Sequence, residues 1–455
     1  MFSRILVANR GEIALRIIRA AKTLGIEVVC VYSKADADGP WLKHADQAVC
    51  IGEGPSAESY LRSDRIISAA EVTGSDAIHP GYGFLAENAN FAEICRDSGF
   101  AFIGPSPEAM ALLGDKVSCK NLARQAGTPI FPGTEDAIEE MDEAVEMAQL
   151  IGYPVIVKAA AGGGGRGMRI ARNEEQLRAG VVSAQQEAAA AFGDGRVYVE
   201  KFLENARHFE IQCIGDSHGN AVHLFERDCT TQRRHQKLIE EAPAPGVDPE
   251  RRNEVAHSAA ELIRQAKYSG AATVEFLMDR DHNFFMLEVN TRVQVEHPVS
   301  ELITGVDIVA EQIKVASGAP LSITQEQLAV NGHAIECRIN AEDPDRGFMP
   351  QAGLIETWRP PGGLGVRLDS HATSGYRIPP NYDSMIGKLI VHGPDRETAI
   401  ARMKVALDEF EVGPIRTTIP LHRRLMDHPD FVSANFDIHY VERWLDSDSV
   451  TAAEA

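Results

Sequence analysis

The chain has 455 residues, of which 44% are hydrophobic and 24% are charged, with 38 Gly and 23 Pro. This composition is typical of a folded globular protein rather than a disordered, fibrous or membrane-spanning chain, and the length suits about three domains. Lys and Arg number 45 against 66 Asp and Glu, and the resulting net charge of −21 repels nucleic acid. We therefore expect neither nucleic acid nor a membrane as a partner.

The seven cysteines are widely spaced and include no Cys-x-x-Cys pair. Neither a disulfide framework nor a zinc site is indicated. Arg10 and Glu12 interrupt the apolar N-terminal run, so no hydrophobic signal peptide is expected. Together these features predict a cytoplasmic protein.

From the N-terminus to residue 113, short apolar runs alternate with segments whose apolar residues recur at helical spacing. This alternation predicts a parallel sheet covered by helices. The predicted strands cover residues 5–8, 28–31, 48–51, 77–79 and 101–103, and the predicted helices cover 13–24 and 65–72. The turns at Gly11 and at 79–83 lie where parallel sheets place ligands, but an ordinary strand–helix turn fits them equally well.

A second region, residues 114–330, begins with strand–helix patterns and continues with short alternating strands. We predict strands at 154–159 and 197–202, helices at 174–191 and 253–267, and a mostly antiparallel sheet over 208–290. In a third region, 331–446, glycine and proline turns separate short strands, a helix is predicted at 397–409, and residues 447–455 are expected to be frayed. The fold class is therefore mixed, with an N-terminal α/β unit and a C-terminal, mostly antiparallel sheet.

Four consecutive glycines lie in a loop at 162–167, directly after the strand that ends near Lys158. Glycine backbone N–H groups can approach a phosphate without obstruction by a Cβ atom, and Lys158 and Arg166 add positive charge. The alternative is a merely flexible loop. Because the run lies between a strand and another apolar pair, we favour phosphate binding, although the Gly-Lys-Ser/Thr ending of a Walker loop is missing.

The segment 273–290 predicts a β-hairpin with its loop at 280–283. The register that buries one apolar face pairs Val274 with Val289, Phe276 with Leu287 and Met278 with Phe285. On the opposite face Glu275 lies across from Glu288, and such a pair of like charges destabilises a sheet unless a cation lies between them. Asn290 follows on the same face, so the three side chains suit Mg²⁺ or Mn²⁺. The alternative is two solvated glutamates.

Two further charged segments carry candidate site residues, one directly after this hairpin and one earlier in the chain. If residues 291–296 stay extended, Arg292, Gln294 and Glu296 share the metal side, but any half-exposed strand shows the same alternation. The cationic run 233–237 suits anionic substrates, although a solvated charge run is the default interpretation. Cys229 lies near that run without a base motif, so we expect it to have no catalytic role.

The chain resembles the biotin carboxylases of the ATP-grasp superfamily. The resemblance covers nearly the whole chain, through the motifs at 8–14, 79–85, 162–168, 233–237, 288–298, 338–343 and 382–388. It implies an N-terminal Rossmann-like domain at 1–113, an ATP-grasp domain at 114–330 with a mobile lid at about 131–203, and a C-terminal domain at 331–446.

Site residues follow from the resemblance position by position. Phosphates or ribose are expected to bind at Lys116, Lys158, Gly164, Gly165 and His208. The hinge that reads adenine corresponds to Glu200, Lys201, Phe202 and Leu203, and His235 also touches the nucleotide. Two Mg²⁺ or Mn²⁺ ions are expected at Glu275, Glu288 and Asn290, and Glu275 and Glu288 also count among the expected ATP-binding residues. Bicarbonate corresponds to Lys237, Arg292, Gln294 and Val295.

The implied reaction uses ATP and biotin as substrates. Glu296 deprotonates bicarbonate, which attacks the γ-phosphate of ATP to give ADP and carboxyphosphate. Carboxyphosphate releases CO₂ and phosphate, the phosphate takes the N1′ proton of biotin, and Arg338 stabilises the enolate that captures CO₂. Lys237 and Arg292 complete the catalytic set. Because carboxyphosphate hydrolyses easily, a closing lid that excludes water has a physical purpose.

The sequence lacks the Met-Lys-Met motif that holds biotin in carrier domains. The nearest string, at 402–405, lies in the predicted helix 397–409 and is interpreted as helix surface. We therefore expect no covalently bound biotin on this chain. The expected partners are a biotin carboxyl carrier protein, carboxyltransferase subunits and a second copy of the chain in a homodimer.

Two other functions remain as alternatives. Another ATP-grasp ligase, joining a carboxylate to an amine, would share the lysines, the loop and the hairpin but would not require Arg292, Glu296 and Arg338 together. A non-catalytic nucleotide-binding subunit would have lost a metal carboxylate or the base. All of these residues are present in the sequence.

Overall fold

The computed structural model describes residues 1–134, 137, 138, 140–159 and 168–454, and for residues 192 and 448–454 it describes the backbone only. The loop 162–167, with Gly164, Gly165 and Arg166, therefore lies outside the described residues. Within the described ranges, no helix combines the length and apolarity that a membrane span requires.

The N-terminal unit is a five-stranded parallel sheet in the order β3-β2-β1-β4-β5. Its elements are β1 (Arg4–Val7), α1 (Gly11–Thr23), β2 (Glu27–Ser33), β3 (Gln47–Gly52), α2 (Ser63–Thr73), β4 (Ala77–His79), α3 (Ala89–Asp97) and β5 (Ala101–Phe102). The predicted strands and helices of this unit are confirmed within a few residues at each end.

A three-stranded antiparallel sheet, ordered β7-β6-β8, follows three helices. The elements are α4 (Pro107–Gly114), α5 (Lys116–Ala126), α6 (Met141–Ile151), β6 (Val155–Ala159), β7 (Arg169–Ala171), α7 (Glu174–Phe192) and β8 (Val197–Lys201). This part has an apolar core of its own, which includes Val155, Val157, Leu177, Val181 and Val197.

An eight-stranded antiparallel sheet, ordered β13-β12-β9-β10-β11-β14-β21-β19, forms the body of the molecule. Five of its strands are β9 (Arg207–Gly215), β10 (Ala221–Arg233), β11 (Gln236–Ala242), β12 (Gly270–Met278) and β13 (Phe284–Asn290). The same part of the chain contains the helices α8 (Pro249–Gln265), α9 (His297–Thr304) and α10 (Ile308–Ala316). Asp248 caps α8 by accepting from the N–H groups of Glu250 and Arg251, and Pro249 occupies the first turn.

The C-terminal part supplies the other three strands of the same sheet. Its elements are β14 (His333–Asn340), β15 (Glu342–Asp343), β16 (Met349–Pro350), β17 (Gly353–Leu354), β18 (Thr357–Arg359), β19 (Val366–Ser370), β20 (Arg377–Ile378), β21 (Met385–Gly393), α11 (Arg396–Glu409), β22 (Glu411–Gly413), α12 (Ile419–Asp427), α13 (Pro429–Val432) and α14 (Tyr440–Glu454). Residues 447–454 continue α14, where the sequence predicted a frayed tail. In α11, Met403 is buried rather than on the helix surface, whereas Lys404 pairs with Asp427 at 2.6 Å.

One apolar core joins the N-terminal unit to the large sheet. It contains Ile5 and Val28 from the parallel sheet together with Ile214, Ile335 and Leu389 from the antiparallel sheet. The N-terminal and C-terminal parts of the chain are therefore packed on each other, and side chains from both reach the same site.

The hairpin β12–β13 confirms one half of the predicted register and corrects the other. Glu275 pairs with Glu288 as predicted, but an irregularity directly after this pair shifts the ladder by one residue. Phe276 therefore faces Met286 instead of Leu287, and Met278 faces Phe284 instead of Phe285. An extra residue in one strand turns the following side chains to the other face. Leu287 is 39% exposed, whereas Met286 is 4% exposed.

This bulge generates a prediction about stability. Met286→Ala should lower the unfolding free energy by about 2–5 kcal/mol, because it leaves a cavity among packed apolar side chains. Leu287→Ala, the matched control, should change it by less than about 0.5 kcal/mol. Denaturant unfolding of both variants is the measurement. The reverse order of the two effects would show that the hairpin is in the register without the bulge.

Candidate active site

Three glutamates lie side by side on neighbouring strands of the large sheet. Glu210 on β9 pairs with Glu275 on β12, and Glu275 pairs with Glu288 on β13. Glu210 and Glu275 are buried, so their mutual repulsion is only weakly screened. Such an arrangement requires cations on the same face of the sheet.

Lys237 on β11 supplies the central cation. Its Nζ lies 2.6 Å from Glu296 Oε1 and 3.4 Å from Glu275 Oε1, and it also contacts Glu210. Burial opposes the charge of Lys237, but the three carboxylates outweigh it and hold the pKa of Lys237 well above its ordinary value. On the other side of Glu210, Arg227 Nη2 lies 2.9 Å from Glu210 Oε2.

Glu296 lies between two cations at the end of the loop that follows β13. Besides Lys237, it contacts Arg338 of β14, whose Nη2 lies 2.9 Å from Glu296 Oε2. Burial and the charge of Glu210 oppose ionisation of Glu296, yet Lys237 and Arg338 lower its pKa below the ordinary value. The carboxylate is therefore ionised at neutral pH and able to accept a proton.

Residues 291–296 are not an extended strand, because β13 ends at Asn290. The three side chains nevertheless converge as predicted. Arg292 donates to Gln294 Oε1 at 2.6 Å and to Asn290 Oδ1 at 3.0 Å, and Gln294 donates to Glu275 Oε1 at 3.2 Å. Hydrogen bonds rather than strand alternation bring them together.

Val295 contributes its backbone carbonyl to a partly buried contact. Lys388 on β21 donates to this carbonyl at 2.7 Å and lies 3.3 Å from Glu12 of α1. Tyr82, in the turn at 79–83, in turn donates to Glu12, and Asn9 donates to the carbonyl of Pro80 at 2.7 Å. The described contacts of this turn thus connect the N-terminal unit to the site loop.

The residues predicted to bind a metal fit a hard divalent cation. Asn290 donates to Glu275 Oε1 at 2.8 Å, and His208 Nε2 lies 3.0 Å from Glu275 Oε2. Desolvation and then the charges of Glu275 and Glu87 raise the pKa of Glu288, although solvent reaches its side chain. Glu288 thus lies where a positive charge would relieve repulsion. His208, Glu210 and Glu275 also place one potential ligand atom each within 4.8 Å of one another.

The predicted phosphate lysines lie near the three-stranded sheet. Lys158 Nζ lies 2.6 Å from Glu200 Oε2, and Lys120, which the sequence did not single out, contacts the other oxygen. Burial and the charge of Lys158 lower the pKa of Lys116 at the start of α5. Mutual repulsion of this kind is expected of cations gathered for a polyanionic ligand.

Two residues of the predicted adenine hinge, Lys201 and Phe202, donate hydrogen bonds to other parts of the protein. The N–H groups of Lys201 and Phe202 donate to the carbonyls of Pro132 and Pro154 at 2.9 Å and 3.1 Å. Lys201 Nζ donates to the carbonyl of Gly152 at 2.9 Å. The Glu200 side chain contacts two lysines, Lys120 and Lys158.

The cationic run 233–237 divides at the turn between β10 and β11. Lys237 reaches the carboxylates, whereas His235 is exposed in the turn and Arg233 stacks on Phe348 at 4.0 Å. Only one member of the run therefore belongs to the buried charge cluster. Arg233 and His235 lie outside that cluster, and the predicted contact of His235 with the nucleotide stays a prediction.

Glu210, Arg227 and Glu87 are among the residues of the site that were missed from sequence. The alternation of His208 and Glu210 along one strand was a usable signal for Glu210. Glu87 accepts from the Arg292 side chain at 2.9 Å and from the Thr291 N–H at 3.0 Å, and no local pattern connects positions so distant in the chain. Cys229 is fully buried, and burial raises the pKa of its thiol well above the ordinary value.

Three family models match consecutive parts of the chain. Residues 1–110 match the biotin carboxylase N-terminal domain, 115–324 match the ATP-binding domain of the carbamoyl-phosphate synthase L chain, and 336–443 match the biotin carboxylase C-terminal domain. These ranges cover every strand and helix that contributes a side chain to the site.

Whole-chain comparisons agree with the family models. Biotin carboxylase 1 of Bacillus subtilis (strain 168) is 54% identical over 445 residues, which cover 98% of this chain and 99% of that protein. A crystal structure of biotin carboxylase from Campylobacter jejuni in a β-γ-ATP complex is 51% identical, with a TM-score of 0.91 and coverage of 97% and 99%.

A third relative was crystallised with ligands. The biotin carboxylase domain dimer of Hydrogenobacter thermophilus 2-oxoglutarate carboxylase, solved with MgADP, ADP and bicarbonate, is 47% identical, with a TM-score of 0.90 and coverage of 97% of this chain and 98% of that chain. With matching family models, fold and length, the chain belongs to the biotin carboxylase family of ATP-grasp ligases, which carboxylate biotin with ATP and bicarbonate.

Proposed function

We propose that this chain carboxylates biotin, using ATP and bicarbonate and releasing ADP and phosphate. The observation that carries the proposal is the buried, ionised carboxylate of Glu296, held between Lys237 and Arg338 and beside the paired carboxylates of the hairpin. A base, cations for an anionic substrate and a site for a divalent ion lie together on one face of one sheet.

In the first step, Glu296 removes the proton of bicarbonate while Lys237, Arg292, Gln294 and the backbone of Val295 hold its oxygens. The resulting dianion attacks the γ-phosphorus of ATP, the bond to the β-phosphate oxygen breaks, and carboxyphosphate and ADP form. Positioning and charge neutralisation lower this barrier. Mg²⁺ or Mn²⁺, as one or two ions held by Glu275, Glu288 and Asn290, would neutralise charge on the phosphates.

In the second step, carboxyphosphate separates into CO₂ and phosphate. Phosphate takes the N1′ proton of biotin, and the N1′ of the enolate attacks CO₂ to give carboxybiotin. Arg338 is the cation we assign to the enolate oxygen, because its partly buried guanidinium lies beside Glu296 and is charged in every accessible pH range.

For the nucleotide, we propose that Lys116, Lys158, His208 and the loop glycines Gly164 and Gly165 bind phosphates or ribose, and that His235 closes on the nucleotide. The segment Glu200–Leu203 reads adenine through its backbone. Since the N–H groups of Lys201 and Phe202 already donate elsewhere, the N–H of Leu203 is the donor left for the base. Glu200 then acts by holding Lys120 and Lys158 in place.

We propose the domain division 1–113, 114–330 and 331–446, with a lid at about 131–203. The separate apolar core around Val155 and Leu177 supports a lid that moves as a unit. The second and third domains are joined more tightly than the sequence suggested, because β11 pairs with β14 across their boundary.

The partners we propose are a separate carrier protein that holds biotin, carboxyltransferase subunits that use the carboxybiotin, and a second copy of this chain. Biotin is thus a substrate and not a covalent group of this chain. We place the protein in the cytoplasm, which the seven unpaired cysteines support. A carboxylate–amine ligase remains the alternative, but it would not require Arg292 together with the contact between Glu296 and Arg338.

Glu288→Gln tests the metal site. With Mg²⁺ limiting, ATP turnover should fall, because one oxygen ligand loses its charge. Folding raises the pKa of Glu288, so its repulsion of Glu275 is present at neutral pH and is lost as the pH falls through that pKa. Without Mg²⁺, the variant should therefore melt at or slightly above the wild-type temperature at pH 7.5. Glu71→Gln, an exposed glutamate on α2, is the matched control; unchanged turnover of Glu288→Gln at limiting Mg²⁺ would contradict the assignment.

Glu296→Gln and Arg338→Gln test the two steps separately. Glu296→Gln keeps the shape but removes the base, so bicarbonate-dependent ATP cleavage and biotin carboxylation should fall together, by about 10²–10⁴. Arg338→Gln should reduce carboxybiotin formation more than ATP cleavage, because the enolate appears only in the second step. ADP and carboxybiotin are measured in parallel. If Arg338→Gln lowers both equally, Arg338 binds bicarbonate or phosphate instead of the enolate.

A further inference from the structure

Two buried glutamates behind the site are paired across neighbouring strands. Glu240 on β11 pairs directly with Glu336 on β14, and both are 0% exposed. Arg338 lies two residues along β14 on the same face, and its Nε donates to Glu240 Oε1 at 2.6 Å. Neither glutamate belongs to the substrate or metal contacts proposed above.

Two buried carboxyls paired directly across neighbouring strands share one negative charge more readily than they bear two. Three of their four oxygens support a shared proton, since Glu240 Oε2 and both oxygens of Glu336 are buried without a hydrogen-bond partner. A proton on Glu336, directed at Glu240 Oε2, would satisfy two of these three atoms. Burial, with the charge of Glu240, raises the pKa of Glu336 well above its ordinary value against the attraction of Lys388.

The charged groups that act on Glu336 from the packed elements are Glu240, Lys388, Arg338 and Glu296. Two of these groups, Lys388 and Arg338, are cations, and Arg338 is already paired with Glu240 and Glu296. Lys388 has other partners as well. Its ammonium group donates to the carbonyl of Val295 at 2.7 Å and lies 3.3 Å from Glu12. The proton on Glu336 is therefore the simpler way to remove its charge.

We propose that Glu240 is a positioning residue for Arg338, and that the proton held by Glu336 keeps exactly one negative charge behind the guanidinium throughout the reaction. The inference rests on the proposed function. Arg338 has two carboxylate partners, Glu240 and Glu296. Glu296 loses its charge when it accepts the bicarbonate proton, and Glu240 then holds the guanidinium in place while Nη2 is released toward the enolate oxygen.

For Arg338 to bind the enolate, one of the two glutamates behind it must be ionised and the other neutral. With both Glu240 and Glu336 ionised, two negative charges would cancel the attraction of Arg338 for an enolate. With both neutral, the guanidinium would follow Glu296 and lose its orientation. One shared charge leaves Arg338 fixed and still attractive to an anion.

Two isosteric variants separate these roles. Glu240→Gln should lower the yield of carboxybiotin per ADP by about 10- to 100-fold, the effect of losing a charge-assisted hydrogen bond, and should raise KM for biotin. Glu336→Gln replaces a protonated acid by a neutral group of the same shape, so carboxybiotin yield, KM and melting temperature should stay within about twofold or 2 °C of wild type. Equal loss of ADP and carboxybiotin in Glu240→Gln, with KM for biotin unchanged, would show a merely structural role and overturn the proposal.

An infrared measurement tests the shared proton without activity. The difference spectrum of wild type minus Glu336→Gln, at pH 8, should contain the carbonyl stretch of a protonated carboxylic acid. A carboxylate band in its place would show that Glu336 is not protonated. This result does not depend on whether Glu240→Gln folds. Wild-type protein that forms no carboxybiotin would instead refute the proposed function, and the infrared result would stand separately.

Discussion

The burial of Lys237 among Glu210, Glu275 and Glu296 is the interaction on which the site depends. Each carboxylate is removed from water, and the free energy of that desolvation is recovered only through close cations. Without Lys237, the three would repel one another, and Glu296 would lose one of the two cations that contact it and lower its pKa. The same ammonium group therefore stabilises the resting sheet and maintains the base in its working state.

The eight-stranded sheet brings this cluster together from distant parts of the chain. β9, β12 and β13 supply the acidic side chains, β11 supplies Lys237, and β14 supplies Arg338. Because β14 pairs with β11, Arg338 reaches Glu296 from behind, and Glu240 of β11 fixes it there. The N-terminal unit completes the site through Glu87 on Arg292 and through Glu12 on Lys388.

Sequence patterns predicted the features that follow from local periodicity. Alternation along the hairpin was enough to place Glu275 opposite Glu288, and apolar runs located the parallel sheet. The bulge at Leu287 could not be predicted, because the same residues form the two strands with or without it and only their pairing differs. The convergence of Arg292, Gln294 and Glu296 was predicted for a strand but arises in a loop through hydrogen bonds. Glu87 and Glu240 depend on contacts between distant segments, which no single stretch of sequence encodes.

The central claim is that one site couples ATP cleavage to carboxylation of biotin through bicarbonate. The direct measurement is ADP release by the purified protein with Mg²⁺, with and without bicarbonate and free biotin, together with counting of labelled carboxybiotin from labelled bicarbonate. We predict that ADP release depends on bicarbonate, rises further with biotin, and is accompanied by acid-labile label on biotin. ADP release that ignores bicarbonate, or that rises with an amine in place of biotin, would contradict the account.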